Sequence, residues 1–221
     1  MKNVVIVDSV RTGLSKSFRG SFNMTRGDDM LSHLIDALLE RNPNLPPDTI
    51  EDVIMGCGNP EAATGHNIGR NAVVLSKLPI TVGGTTVNRY CSSGLQTISM
   101  AAGQIMAGGY DTILAGGVEQ ITMVQPKINM DNFVNDQINA EMPGIYFPMG
   151  MTAEVVAKRY KVSREQQDEY SLQSQLRTAK AQEAGRYSDE IIPMKTKMLL
   201  TNKETGEQKV VDAECVKDEC N

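Results

Sequence analysis

The sequence predicts a layered α/β fold with a mainly parallel central sheet. Short apolar runs of strand length alternate with longer segments whose apolar residues recur at helical spacing. Clusters of Gly, Asn and Pro separate these segments and mark the turns between them. With 221 residues, of which 40% are hydrophobic, the chain is long enough for one large domain with an appended lobe.

The first two elements are a strand and a helix. The run NVVIVD, residues 3–8, predicts a strand, and a long Gly/Ser/Arg connection follows it to Gly27. A helix is expected to begin near Asp28, which can cap it, and to end at Asn42-Pro43. The apolar residues between these limits keep helical spacing: Met30, Leu31, Leu34, Ile35, Leu38 and Leu39.

The next segments continue the alternation of strands and helices. Strands are predicted over 52–56, 84–88 and 111–118, with a helix over 67–77 between the first two of them. The helix predicted over 93–108 lies in a stretch without charged residues, which is too rich in Gly, Ser and Thr to span a membrane. We therefore expect this helix to be fully buried.

The pattern changes after Glu119. Residues 120–150 carry many Met, Asn, Pro and Gly residues with little periodicity, which predicts an extended surface excursion. Two helices are then predicted, the second opening at Ser163 with a capping box and closing at Gly185, and short strand-like pieces follow. The predicted domains are 1–119 and 120–221, with the second one incomplete at its C-terminal end.

Composition and charge exclude several partners. The 27 acidic residues outnumber the 22 basic ones, and no basic cluster has the density that nucleic-acid binding requires. The N-terminal MKNVVIVDSVRT has one lysine and a short apolar run, without the features of a signal peptide. We expect a cytoplasmic protein that binds neither nucleic acid nor membrane.

Cys91 is the cysteine whose context predicts chemistry. It lies in NRYCSSGLQ, at a predicted strand-to-helix turn, where the helix N-terminus favours the thiolate. Small residues follow it, so an acyl group could approach the sulfur, and the backbone N–H groups of such a turn can stabilise an oxyanion. A buried structural cysteine remains the alternative on these residues alone. No cluster has the spacing of a metal site, so no metal is expected.

The segment VNRYCSSGLQTISMAAGQIMAGGYDTILAGGVEQIT, Val87 to Thr122, resembles the thiolase family. That family carries its nucleophile in an Asn-x-x-Cys-x-Ser-Gly motif and ends the next strand in Gly-Gly-x-Glu. VDSVRTGLSK, GHNIGRNAVVLSKLP and the segment from Met149 to Pro193 also resemble the family's opening strand, the helix beside its active site and its inserted loop domain. The likeness covers the entire chain, and it implies the thiolase fold, first half only, with an inserted helical loop domain.

The resemblance implies acyl transfer between coenzyme A thioesters. Cys91 would be the nucleophile that takes an acyl group as a thioester, with its backbone N–H as one oxyanion donor. Either CoA or the enol form of acetyl-CoA would then release the acyl group, as in fatty acid metabolism. The implied substrates are acyl-CoA and CoA, without a bound cofactor, and the implied assembly is a homodimer or tetramer formed through the N-terminal half.

The family's remaining catalytic motifs are absent from this sequence. These are Gly-His-Pro, Cys-x-Gly-Gly-Gly and Asn-Glu-Ala-Phe, which belong to the family's second half, and we expect the isolated chain to be inactive without that half. The chain has two histidines, and one of them, His66, is assigned to the acyl pocket together with Met149. Pro148 replaces a histidine found in some short-chain members, which favours a broader or longer acyl substrate.

Two alternatives stay open at this point. A ketoacyl synthase-like condensing enzyme would share the fold and a Cys nucleophile, although its motif usually reads Asp-Thr-Ala-Cys-Ser-Ser. A non-catalytic module for dimerisation or CoA-ester binding would need no base. Reading the DNA beyond codon 221 for the two motifs Gly-His-Pro and Cys-x-Gly-Gly-Gly would separate this module from an enzyme portion.

Overall fold

The computed structural model describes residues 2–219, which form two compact units. The first unit contains residues 2–128 and 188–219, and the second contains residues 129–187. These bounds differ from the predicted division after Glu119, which concerns the family's domain organisation and stays a prediction. The predicted domain's last two residues, 220 and 221, lie outside the described part of the chain.

The first unit is built on a parallel sheet of three strands. β1 (Asp52–Gly56) lies between β2 (Gly83–Val87) and β3 (Ile113–Gly117), and both neighbours run parallel to it. The register places Asp52 opposite both Gly83 and Ile113, so the three strands end at the same edge. The predicted α/β class with a parallel sheet is confirmed.

Helices cover both faces of this sheet. α1 (Gly27–Arg41) and α2 (Ile68–Leu75) share one core with β1, and α3 (Ser93–Met106) packs on β1 and β3. Successive strand residues point to opposite faces. Val53 and Met55 of β1 join the α1–α2 core, whereas Gly56 faces the first turn of α3. These elements match the predicted helices and strands to within a few residues.

Two expectations from the sequence are wrong. Residues 3–8 form no strand, and Ile6 is 76% exposed, because no described strand lies beside this segment to complete its backbone hydrogen bonds. The helix α3 is not fully buried, since Leu95 on its outer face is 72% exposed. One side of α3, carrying Ser93, Thr97 and Ala101, is buried against the sheet, and the other faces solvent in the described part of the chain.

A hairpin completes the first unit. β4 (Met194–Thr201) pairs antiparallel with β5 (Gln208–Cys215), and a second core unites Met194 and Cys215 with Phe22 and Met30. The chain after β5 is tied to the loop that precedes α1. Asp218 accepts two hydrogen bonds from the Arg11 guanidinium, at 2.6 and 3.0 Å.

The first unit also contains α4 (Ile121–Val124) and short 3-10 turns. The second unit is helical. It contains α5 (Asp136–Glu141), α6 (Met149–Tyr160) and α7 (Arg164–Glu183). The predicted capping box at the start of α7 is confirmed, because the Ser163 side chain and the Gln166 side chain each bond the other's backbone N–H. Among residues 2–219, no helix is both long and apolar enough to cross a membrane.

Candidate active site

Cys91 lies at the turn between β2 and α3, on the edge where the parallel strands end. Its thiol is exposed, and α3 begins two residues later at Ser93. In open parallel sheets, ligands bind at the carboxyl ends of the strands. The structure therefore places the predicted nucleophile at the edge of the sheet where a site is expected, and the alternative of a buried structural cysteine at this position is wrong.

The backbone before Cys91 has an uncommon conformation. Tyr90 has φ = 47°, a left-handed value that non-glycine residues rarely adopt and that often occurs at functional sites. Its N–H donates to Asn88 Oδ1 at 2.8 Å, and its carbonyl accepts the Ser93 N–H at 3.0 Å. The turn that presents Cys91 is held by hydrogen bonds from residues on both sides.

Gly56 allows α3 to start directly above the end of β1. A Cβ added to Gly56 would lie 2.5 Å from the Ser93 carbonyl carbon and 2.7 Å from the Gly94 nitrogen. Both are backbone atoms, which cannot move aside as the end of a flexible side chain can. The missing side chain at Gly56 thus brings the first turn of α3, and Cys91 with it, close to the sheet.

Cys91 opens into a cleft of about 520 Å³. Its walls are the loop after β1, the turn before α3 and the segment after β3; they include Gly58, Asn59, Tyr90, Val118, Glu119 and Ile121. Among the described residues that line it, Glu119 is the one Asp, Glu, Lys or Arg, and none is a histidine. Apolar and small lining residues and one carboxylate make the cleft suited to an acyl chain rather than to a polyanion.

Glu119 is a residue of the cleft to which the sequence assigned no role. Its carboxylate accepts the Gly58 N–H at 2.8 Å and the Asn59 side-chain N–H at 3.3 Å, linking the segment after β3 to the loop after β1. The signal was present in the sequence, since ends of parallel strands meet at one edge and Glu119 directly follows a predicted strand. Each of its oxygens accepts one of these hydrogen bonds, so Glu119 holds the two loops together at the cleft.

The other predicted site residues lie elsewhere. His66 is exposed, has φ = 61°, and is not among the described residues that line the cleft around Cys91. Met149 is the first residue of α6 in the second unit, where its side chain is 72% exposed. The pocket roles of both residues stay predictions. Within residues 2–219, no group of three or more His, Cys, Asp or Glu side chains could hold a metal ion.

Cys57 differs from Cys91 although it follows a neighbouring strand. It is 1% exposed and belongs to the α1–α2 core. Burial, followed by the nearby charge of Glu119, raises the pKa of the Cys57 thiol above its ordinary value. Cys57 is therefore held as an unreactive thiol.

The fold and the exposed cysteine define a class of α/β proteins with a cysteine at the carboxyl edge of a parallel sheet, and sequence comparison identifies the family. The chain matches the family described as "Thiolase, N-terminal domain" over residues 4–219, and it belongs to the thiolase family. The resemblance drawn from the motif around Cys91 is confirmed.

Individual relatives agree with this assignment. The chain is 44% identical to the 3-ketoacyl-CoA thiolase of Bacillus subtilis (strain 168) over 194 residues, 88% of this chain and 49% of the relative. It is 42% identical to the 3-ketoacyl-CoA thiolase of Aliivibrio salmonicida (strain LFI1238), over 88% of this chain and 50% of that protein. The chain thus spans about half the length of the curated relatives it matches.

Proposed function

We propose that this chain carries the nucleophile of an acyltransferase that moves acyl groups between coenzyme A thioesters, and that Cys91 forms the covalent intermediate. The observation that carries the proposal is the exposed thiol of Cys91 at the N-terminus of α3, inside a cleft at the edge where the strands end. The names of the relatives, 3-ketoacyl-CoA thiolases, favour a 3-ketoacyl-CoA as the acyl donor.

The reaction would proceed in two steps. The Cys91 thiolate attacks the 3-keto carbonyl, the bond between C2 and C3 breaks, and acetyl-CoA leaves after its C2 gains a proton. The thiol of a second CoA then loses its proton, attacks the acyl thioester and restores the Cys91 thiolate. In this proposal the backbone N–H of Cys91 donates to the oxyanion that forms on the carbonyl oxygen.

The proton transfers need groups that the described cleft does not supply. Glu119 is engaged with Gly58 and Asn59, and no histidine is among the described residues lining the cleft. We propose that these groups come from a polypeptide equivalent to the half of the relatives that this chain does not cover. On this proposal, the chain alone binds and presents the acyl group but does not turn over.

The surface of the first unit offers room for such a polypeptide. β3 pairs with β1 along one edge, and a cavity of about 460 Å³ separates the β3 region from the loop at residues 10–17. The exposed segment at 5–7 and the exposed outer face of α3 each add apolar side chains to the surface, and large exposed apolar patches usually mark an interface. The same surface supports our proposal that copies of the chain associate through the N-terminal half.

Two assays test the proposal. The 221-residue chain, mixed with 3-ketoacyl-CoA and CoA, should show negligible thiolysis alone and measurable thiolysis after addition of the C-terminal half of the Bacillus subtilis relative. Incubation with acetyl-CoA followed by mass spectrometry should find an acetyl thioester on Cys91. Cys91→Ala should abolish both signals, and Cys57→Ser is the matched control that retains them.

Two results would contradict the proposal in different ways. Substantial turnover by the chain alone would mean that it contains its own base. Acylation of the Cys91→Ala chain at the original rate would mean that another group is the nucleophile. Iodoacetamide gives an independent measurement, because the exposed Cys91 should alkylate at least about ten times faster than the buried Cys57.

A binding module is the second candidate, favoured by the exposed apolar face of α3. If the chain serves only for association or CoA-ester binding, it should bind CoA thioesters or self-associate without ever acquiring an acyl group on Cys91. Acylation assays with the Cys91→Ala control separate the two functions directly.

A further inference from the structure

We propose that Ser93 is a positioning residue for Cys91, acting by holding Tyr90 in its left-handed conformation. This inference rests on the proposed role of Cys91 as the nucleophile. Ser93 is 4% exposed, and its hydroxyl lies between two backbone groups that precede the cysteine. It accepts the Arg89 N–H at 2.8 Å and donates to the Tyr90 carbonyl at 2.6 Å.

These two hydrogen bonds close a loop around Cys91. The Arg89 N–H precedes the cysteine, the Tyr90 carbonyl belongs to the peptide bond that joins Tyr90 to Cys91, and Ser93 begins α3. The orientation of that peptide bond is therefore set from the helix side. A rotation of Tyr90 to an ordinary negative φ would turn the bond, break the contact with Ser93 and carry the sulfur away from its present position.

The Ser93 backbone packs directly against the sheet. It rests against Gly56 of β1 at a distance that leaves no room for a side chain on Gly56. The position of the Ser93 hydroxyl is thus set by the sheet. Tyr90, in contrast, has an exposed ring that contributes little to holding its own backbone. Asn88, which accepts the Tyr90 N–H at 2.8 Å, is the second restraint on this residue.

Ser92 provides a matched control in the same turn. Its hydroxyl donates to the Arg89 carbonyl at 2.9 Å, but its side chain is exposed and forms no hydrogen bond with Tyr90. Ser92→Ala and Ser93→Ala each remove one hydroxyl oxygen, and the two serines are adjacent in the chain. Only the loss at Ser93 removes a restraint on the peptide bond that precedes the sulfur, so the two substitutions separate positioning from general weakening of the turn.

The experiment measures the rate at which iodoacetamide alkylates Cys91 in the full 221-residue chain, kept folded as judged by circular dichroism. The tryptic peptide from Tyr90 to Lys127 contains Cys91 as its single cysteine, so mass spectrometry reports this residue alone. Ser93→Ala should slow the reaction about threefold, because the sulfur leaves its exposed position directly before the N-terminus of α3. Ser92→Ala should react at the rate of the original chain.

A substitution at Tyr90 tests whether Ser93 acts by holding Tyr90 in its left-handed conformation. Asn tolerates the left-handed region better than Tyr, so Tyr90→Asn should reduce the effect of Ser93→Ala. A purely structural role for Ser93 would lower stability equally with either residue at position 90 and would leave the alkylation rate of folded protein unchanged. If Ser93→Ala does not fold, Asn88→Ala removes the other restraint on Tyr90 and should slow alkylation in the same way.

Equal alkylation rates for the Ser93→Ala and Ser92→Ala chains would overturn the proposal, whether both rates are unchanged or both are slowed. The same holds if the folded Asn88→Ala chain, measured in place of an unfolded Ser93→Ala chain, keeps the original rate. Failure of the proposed function is separately visible, because absence of acylation by acetyl-CoA leaves the alkylation comparison unaffected.

Discussion

The two faces of the parallel sheet are covered to very different extents. On one face, α1 and α2 pack over β1, and the shared core contains residues as little as 0–1% exposed, such as Ile35, Val53 and Ile68. On the other face, α3 contacts the sheet through a narrow row of small and polar residues, and its outer side faces solvent in the described part of the chain.

The two faces of the sheet have different roles, one in the stability of the fold and the other in the proposed chemistry. The α1–α2 face holds the fold together, because buried apolar area is the main favourable term in folding. The α3 face carries Cys91 on a helix that is anchored on one side alone. A further element can cover this helix, and the proposed nucleophile before it, without disturbing the main core. Each of the following predictions tests this contrast.

The largest effect is expected from equal truncations on the two faces. Ile35→Ala removes three carbons from a side chain that is 1% exposed, and it should lower the free energy of unfolding by about 3 kcal/mol. Leu95→Ala removes three carbons from a side chain that is 72% exposed, and the change should stay within about 0.5 kcal/mol. Urea denaturation of both variants is the measurement. Similar losses at the two positions would mean that the outer face of α3 is covered.

A pair of glycines offers a finer test of the same contrast. A Cβ on Gly69 of α2 would lie 2.3 Å from the Thr85 carbonyl oxygen of β2, and a Cβ on Gly56 would lie 2.5 Å from the Ser93 backbone. Gly69→Ala should cost about 2 kcal/mol, because α2 is held between the sheet and α1 and cannot retreat. Gly56→Ala should cost about 1 kcal/mol, because α3 can shift outward. A larger cost at Gly56 would contradict the freedom assigned to α3.

The sequence predicted the covered face well. The spacing of apolar residues predicted α1 almost to its ends, because one face of that helix is buried. A short apolar run predicted β1 at its observed bounds, because that strand is buried on both faces. The position of Cys91 at a strand-to-helix turn could also be predicted, since a cysteine between a strand and a helix next to small residues is a local signal.

The open face was predicted poorly for a physical reason. An apolar, uncharged sequence indicates that a segment prefers burial, but it does not indicate which polypeptide covers that segment. The helix α3 was therefore expected to be fully buried and residues 3–8 to form a strand, whereas the outer side of α3 and residues 5–7 are exposed in the described chain. The hydrogen bonds of Glu119 to Gly58 and of Ser93 to Arg89 also escaped prediction, because they depend on how loop backbones turn toward one another.

The smallest of the three effects concerns a polar tie beside the covered face. Hydrogen bonds from Arg11 lower the pKa of Asp218 below its ordinary value of 3.8, although partial burial opposes them. A carboxyl group with a lowered pKa stabilises the fold fully above that ordinary value. The contribution is lost as the pH falls through the lower pKa of the folded state.

Asp218→Asn should therefore lower the free energy of unfolding by about 1 to 2 kcal/mol near neutral pH, because it removes a charge-assisted pair with Arg11. The difference from the original chain should stay constant down to about pH 5 and shrink below about pH 4. Asp212→Asn is the matched control, since Asp212 pairs with Lys197 on the exposed hairpin and its loss should have no measurable effect. A pH-independent difference, or an equal loss at Asp212, would show that the charge on Asp218 does not hold the chain after β5 to the loop before α1.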